Sequence, residues 1–252
     1  MKKLIMLRSI LSLFFILLFT NLTATSQTAE EIIKKAEDMI KGETSTGTFT
    51  MTVVNPDFKR TVVMESWWVG NEKALIVINS PAKEAGNKTL KIKNEMWNYL
   101  KNTETTIKIP PSMMLQSWNG SDLTNDDLVR ESNLVNDYDL KVLFEEKIQG
   151  EDCWKIELKP KPTAPVVWGT IYYWVRKSDY LPALIQYYDE KGNLHRTMSF
   201  TDYKIMDKRK IPTKWTIINN KKPGHYTEFI YNDVKFNVNI PDKIFSFKEL
   251  EK

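Results

Sequence analysis

The chain has 252 residues, 36 basic and 32 acidic, for a formal net charge of +4, with two His and one Cys. A single cysteine excludes an internal disulfide, and the lack of a long basic run speaks against nucleic acid as a partner. The length suits one large sheet or barrel, and 8 Trp, 10 Tyr and 11 Phe favour pleated, half-buried surfaces.

Lys2, Lys3 and Arg8 precede an apolar run from Ile10 to Phe19 that only Ser12 interrupts, and Ala24-Thr25-Ser26 follow. This order predicts a secretory signal peptide over 1–26. The run is too short to cross a ~30 Å hydrocarbon core comfortably. No Cys stands near the cleavage point to carry a lipid. The expected product is an exported, non-lipidated protein of residues 27–252. Removing Lys2, Lys3 and Arg8 from the count leaves 33 basic against 32 acidic residues, or +1.

Thr28-Ala-Glu-Glu31 is a capping box. Ile32, Ile33, Ala36, Met39 and Ile40 follow at helical spacing, and Gly42 ends the pattern. Strands are predicted over 48–54, 60–69, 73–79, 88–93, 95–100 and 103–109. After an irregular stretch they resume over 140–148, 153–159, 169–176, 183–189, 194–205, 213–218 and 226–236. Alternation is visible in Lys88-Thr-Leu-Lys-Ile-Lys93 and Lys155-Ile-Glu-Leu-Lys159. Gly70-Asn71, Lys93-Asn94, Lys191-Gly192 and Pro223-Gly224 read as tight turns. Short loops favour antiparallel neighbours.

The stretch from Ile109 to Val129 is apolar where a polar loop belongs. Met113, Met114, Leu115 and Trp118 sit between Pro110-Pro111 and Gly120, so neither helix nor strand absorbs them easily. Thr124-Asn-Asp-Asp127 is a second capping-box pattern, opening a short helix through about 131. An irregular segment this apolar lies on something apolar: a core, or a cavity holding an apolar ligand. So many strands with one strong helix give a mainly β fold. The expected form is a strongly curved antiparallel sheet, an incomplete, open barrel, with an α-helical lid over an apolar cavity.

The succession Trp97-Asn-Tyr-Leu100, Ile109-Pro-Pro-Ser-Met-Met114 and Trp118-Asn-Gly-Ser-Asp-Leu-Thr-Asn-Asp-Asp-Leu128, with Ile240-Pro-Asp-Lys-Ile-Phe-Ser246 near the end, resembles the LolA-like outer-membrane lipoprotein-sorting family. The resemblance covers about 30–250 and implies a single half-barrel over 27–252. Its lid would be the helix 29–41 and the segment 110–131. It implies a periplasmic carrier, expected as a monomer, that shields the acyl chains of lipoproteins or lipids. Such a carrier takes cargo from an inner-membrane donor transporter and gives it to an outer-membrane acceptor. Arg60 is the candidate counterpart of the Arg with which such carriers latch the lid. A second class of function is an accessory subunit docking on a membrane transporter, without cargo of its own.

The chemistry of carriage fits the residues. An exposed acyl chain costs about 0.8 kcal/mol per CH2, and Met repacks easily around variable chains. The residues expected to line cavity or lid are Ile33, Ile40, Trp67, Met96, Trp97, Met113, Met114, Leu115 and Trp118. Trp67 and Trp68 are adjacent, so in a strand one faces in and one out. No catalytic or metal-binding motif is present. His195 and His225 stand alone, and Asp122, Asp126 and Asp127 suit a helix start. No enzyme activity and no cofactor are expected. Cys153 reads as a small buried hydrophobe.

Overall fold

The computed structural model describes residues 27–130 and 134–252. The signal peptide expected over 1–26, and the last residue of the helix expected to reach 131, lie outside the described residues.

The first element, α1 (Ala29–Lys41), carries the expected capping box. Thr28 Oγ1 accepts the Glu31 N–H at 3.2 Å, and Glu31 Oε2 accepts the Thr28 N–H at 3.0 Å. Each bond satisfies one of the donors a helix start leaves open. The helix stops at Gly42, whose combination of φ 66° and ψ −178° suits only glycine. Ala29, Ile32, Ile33 and Ala36 form its buried stripe.

Thirteen strands follow: β1 (Thr44–Val54), β2 (Lys59–Val69), β3 (Lys73–Ser80), β4 (Lys88–Ile92), β5 (Glu95–Leu100), β6 (Thr105–Lys108), β7 (Tyr138–Ile148), β8 (Glu151–Pro160), β9 (Thr170–Arg176), β10 (Pro182–Tyr188), β11 (Leu194–Met206), β12 (Arg209–Asn219) and β13 (Tyr226–Phe236). All thirteen expected strands are present, displaced by a few residues at their ends. They form one antiparallel sheet in the order β6-β5-β4-β3-β2-β1-β13-β12-β11-β10-β9-β8-β7. Two meanders are therefore joined back to back by the β1–β13 pair, and the free edges are β6 and β7. The sheet is strongly curved but does not close. The described chain between its two edges, residues 109–130 and 134–137, lies over the open side. The lid position of this segment is thus a consequence of the connectivity.

β12 begins four residues earlier than the sequence suggests, because it absorbs Pro212. It pairs with β13 only from Lys214 onward, so the missing Pro N–H faces no ladder partner there. On the other side the chain kinks at Asp202 (φ 53°), whose carbonyl accepts the Thr213 hydroxyl at 2.6 Å.

The two faces of the sheet are both buried in part. The inner face carries the main core, including Met51, Met64, Met96, Ile156, Met198 and Phe200, with α1 seated on it. The outer face of β2–β5 carries Leu75, Leu90 and Tyr99 under Phe245 and Leu250 of the chain's last turns, a 3-10 turn (Asp242–Phe245) and a short helix (Phe247–Leu250). Cys153 is buried on the outer face beside Trp174 and Ala183, where burial pushes its thiol up to about 11. That is the behaviour of a packing residue rather than a nucleophile.

Candidate functional site: a lidded apolar cavity

Between the inner face and the lid lies a cavity of about 160 Å³. Strand register explains why it exists. Lys91, Ala74, Trp68, Ser45 and Phe236 stand opposite one another on β4, β3, β2, β1 and β13. The next row inward runs Thr89, Ile76, Ser66, Gly47 and Val234. Gly47 contributes no side chain and Ser66 a short one, so the middle of the second row is left unfilled. Gly47 is also fixed by proximity: a Cβ there would stand 2.3 Å from the Asp233 carbonyl oxygen.

Aromatic rings build the far wall. Phe49 packs on Phe229 (ring centroids 6.0 Å apart) and Tyr231 (6.4 Å), and Trp215 packs edge-on against Tyr231 (5.6 Å) and Phe200 (5.2 Å). Tilted and edge-to-face pairs of this kind hold rings rigidly. The near rim is polar. Lys41 and Gly42 at the end of α1, Ser45, and Asn71 in the β2–β3 turn all border the opening, together with Lys91.

The lid comprises two 3-10 turns (Pro111–Met113 and Trp118–Gly120), a bridge between Ser117 and Thr124, and the helices α2 (Asn125–Arg130) and α3 (Leu134–Asp137). Trp118 plugs inward and is 2% exposed; its Nε1–H donates to Thr89 Oγ1 at 3.2 Å. Met113 and Met114 are half-buried against the main core. The backbone between them and α2 is tied down by Asn125 Nδ2, which donates to the Met113 carbonyl (3.0 Å), and by the Asp126 N–H on the Met114 carbonyl (2.8 Å).

Two arginines on opposite halves of the sheet hold this lid. Arg60 on β2 donates from Nη1 to the Asn119 carbonyl at 2.8 Å and pairs with Glu84. That hydrogen-bonded guanidinium holds the Glu84 carboxyl below the usual carboxylate range. Arg196 on β11, 5% exposed, grips Asp127 with both terminal nitrogens at 2.5 and 2.8 Å. Its guanidinium also lies over the Tyr187 ring, 4.2 Å from the centroid. Asp127 in turn caps α2, accepting from the Thr124 N–H (2.7 Å) and hydroxyl (2.8 Å). Burial alone would push the Asp127 carboxyl up. The Arg196 charge and hydrogen bonds, with those from Thr124, outweigh it and hold the carboxyl below its ordinary value. A third tie is Thr227 on β13, whose hydroxyl donates to Asp122 Oδ2 (2.8 Å) and accepts the Asp122 N–H (2.9 Å). The Gly120-Ser-Asp-Leu-Thr-Asn-Asp-Asp127 motif is thus the docking strip of the lid.

Of the residues the sequence singled out, Ile40 and Trp118 border the cavity. Ile33 and Met96 are fully buried in the core and do not border it. Trp67 and Trp97 belong to the outer cluster beneath the chain's last turns, where Trp97 meets Phe247 edge-on at 5.1 Å. The inward member of the tryptophan pair is Trp68. Leu115 points away from the lid's packed side and is 59% exposed, because the turn after Met114 rotates it outward. Sequence reasoning missed Lys91, Phe49, Trp215, Phe229 and Tyr231 at the cavity and Arg196 at the lid.

An open antiparallel half-barrel with a latched lid over an apolar cavity defines the class of this protein, and solved structures share the fold. The chain is similar to a DUF1329 family protein from Desulfovibrio piger, with TM-score 0.81 and 22% identity over 88% of this chain and 97% of that one. It is similar to an outer membrane lipoprotein-sorting protein domain from Vibrio parahaemolyticus, with TM-score 0.77 and 23% identity over 89% and 98%. A LolA superfamily protein from Nitrosomonas europaea gives TM-score 0.74 and 23% identity over 89% and 100%. The chain therefore shares the fold of these three structures. No curated protein matches the chain by sequence. A family model described only as "Uncharacterized protein" matches residues 70–252, and the chain belongs to that family.

Proposed function

We propose that the protein is a non-enzymatic periplasmic carrier. It shields the acyl chains of a lipid or lipoprotein in the cavity and hands them on, from an inner-membrane donor toward an outer-membrane acceptor. The observation that carries this reading is the aromatic-walled cavity under a lid fastened by polar ties. An apolar plug would be fastened by packing. Ties such as Arg196–Asp127 are directional and can be exchanged for water or for a partner's groups when the lid lifts. The likeness of fold to a lipoprotein-sorting domain supports the same reading. In the closed form the space is on the scale of the ~150 Å³ apolar cavity that accepts a benzene-sized guest. A long acyl chain thus enters only as the lid moves, and cargo shifts the closed–open balance by its differential affinity for the two states. Gly42 and Gly120, at φ 66° and 74°, are free to hinge at the two ends of the moving parts.

The test is equilibrium binding of an apolar fluorescent probe to the exported protein, followed by displacement with fatty acid. Saturable binding near one equivalent, displaced by long chains, is expected. Absence of saturable binding overturns the carrier reading.

A further inference from the structure

β4 turns its polar side chains inward. Leu90 and Ile92 pack under the chain's last turns on the outer face, which leaves Thr89 and Lys91 on the inner face. Thr89 is occupied by Trp118. Lys91 borders the cavity and is 2% exposed. Its one hydrogen-bond partner among the described residues is the Asn71 carbonyl. An ammonium has three donors, and a buried cation without a paired anion is costly to keep. The charged groups that act on it are Lys41 at the end of α1, of like sign, and Glu72 in the β2–β3 turn. The cavity lining contains Lys41 and Lys91 and no Asp or Glu. A cavity with aromatic walls and a buried ammonium in its lining, without its own counter-charge, is complementary to a molecule that joins an apolar body to an anion.

Resting on the carrier reading, we infer that the cargo is an amphiphile with an anionic head. A carboxylate or phosphate sits on the Lys91 ammonium, and the apolar tail runs across the rows toward Phe236, Tyr231 and Trp215. Lys91 and Phe236 stand four strands apart, an arc of about 19 Å at ~4.8 Å per strand. That is room for an extended chain once the lid lifts. Burial lowers the Lys91 pKa to about 8, so the ammonium is present at neutral pH and lost in alkali. An anion seated beside it stabilises the charged form.

The experiment measures binding of palmitate, hexadecyl phosphate and 1-hexadecanol at pH 7 to the wild-type protein and to Lys91→Met and Lys91→Arg. All three proteins are first checked for the same β-sheet spectrum. The wild type is expected to bind both anions at least tenfold more tightly than the alcohol. Lys91→Met should lose that preference while still binding the alcohol, and Lys91→Arg should keep it. Palmitate preferred without hexadecyl phosphate narrows the head to a carboxylate, and the reverse to a phosphate; either supports the assignment. Equal binding of all three ligands by the wild type overturns the anionic head and leaves the carrier reading standing. A preference that survives Lys91→Met also overturns the role of Lys91. Binding of none of them by the wild type overturns both.

Discussion

Replacing Asp127 by Asn probes whether the lid is fastened by the Arg196 clamp or merely packed. The substitution keeps the shape and one acceptor oxygen but removes the charge that balances the buried guanidinium. Breaking one partner of a buried ion pair costs about 3–5 kcal/mol. Asn retains part of the hydrogen bonding, including an oxygen for the Thr124 N–H, so the lower end, about 3 kcal/mol, is expected. At 1.4 kcal/mol per factor of ten, the open-lid population then rises by roughly two orders of magnitude. Hydrogen exchange read by mass spectrometry separates local from global effects, since segments open with their own free energies. Peptides over 110–130 should exchange about a hundredfold faster, while peptides from β1 and β13 keep their protection. Uniform loss across lid and sheet would show that the pair supports the whole fold. An unchanged lid would show that the clamp is not a latch. The pH dependence follows the same pair. Because the folded Asp127 carboxyl lies below its unfolded value, the pair's contribution is full above the ordinary carboxylate range. It is lost as pH falls through the folded pKa, so the protection of lid amides relative to their intrinsic exchange rate should fall in acid.

Lys91 gives the same sign of pH dependence in a more alkaline window, but as a cost relieved rather than a gain made. Its folded pKa of about 8 lies below the unfolded 10.5, so the unfolded chain holds the extra proton between these values and stability rises with pH across that window. Below it the full penalty applies, about 3 kcal/mol at 1.36 kcal/mol per unit. Lys91→Met should therefore raise the melting temperature at pH 7 and flatten the rise between pH 8 and 10, as seen in thermal melts; a lowered melting temperature would refute the assignment of cost. Ser66→Leu fills the gap in the second row and should abolish binding of an apolar probe with little loss of stability. Gly47→Ala should cost more than 1 kcal/mol in chemical denaturation, because the new Cβ meets the Asp233 carbonyl at 2.3 Å. Intact mass of the exported protein should place its first residue within a couple of positions of Gln27; a mass that retains residues 1–20 would indicate a tether instead.

Much of the fold is legible because the strands carry strong aromatic and β-branched signals and the turns between them are short. The first helix is legible because Thr28 and Glu31 state its start and Gly42 its end. The lid segment betrays itself by carrying Met113, Met114 and Trp118 without a regular element to bury them. What fails is the assignment of faces. Alternation reports which residues share a side, not which side is inside. Where the chain's last turns bury the outer face of β2–β5, apolar residues such as Leu75, Leu90, Trp67 and Trp97 lie outside, and Lys91 lies inside. The usual equation of polar with outward then inverts. Arg196 is invisible for a different reason. Its partner Asp127 is 69 residues away, and the pairing exists only once the lid crosses from β6 to β7.

The central claim, that an acyl chain lies between the inner face and the lid, is tested most directly by quenching of tryptophan fluorescence with a brominated fatty acid. Trp68, Trp118 and Trp215 border the cavity, whereas Trp67 and Trp97 lie on the outer face. Saturable quenching is predicted for the wild type. It should persist after Trp67→Phe and Trp97→Phe and fall sharply when Trp68, Trp118 and Trp215 are replaced by Phe together in a protein that still melts cooperatively. Quenching lost with the outer pair, or unchanged without the inner three, would contradict the account.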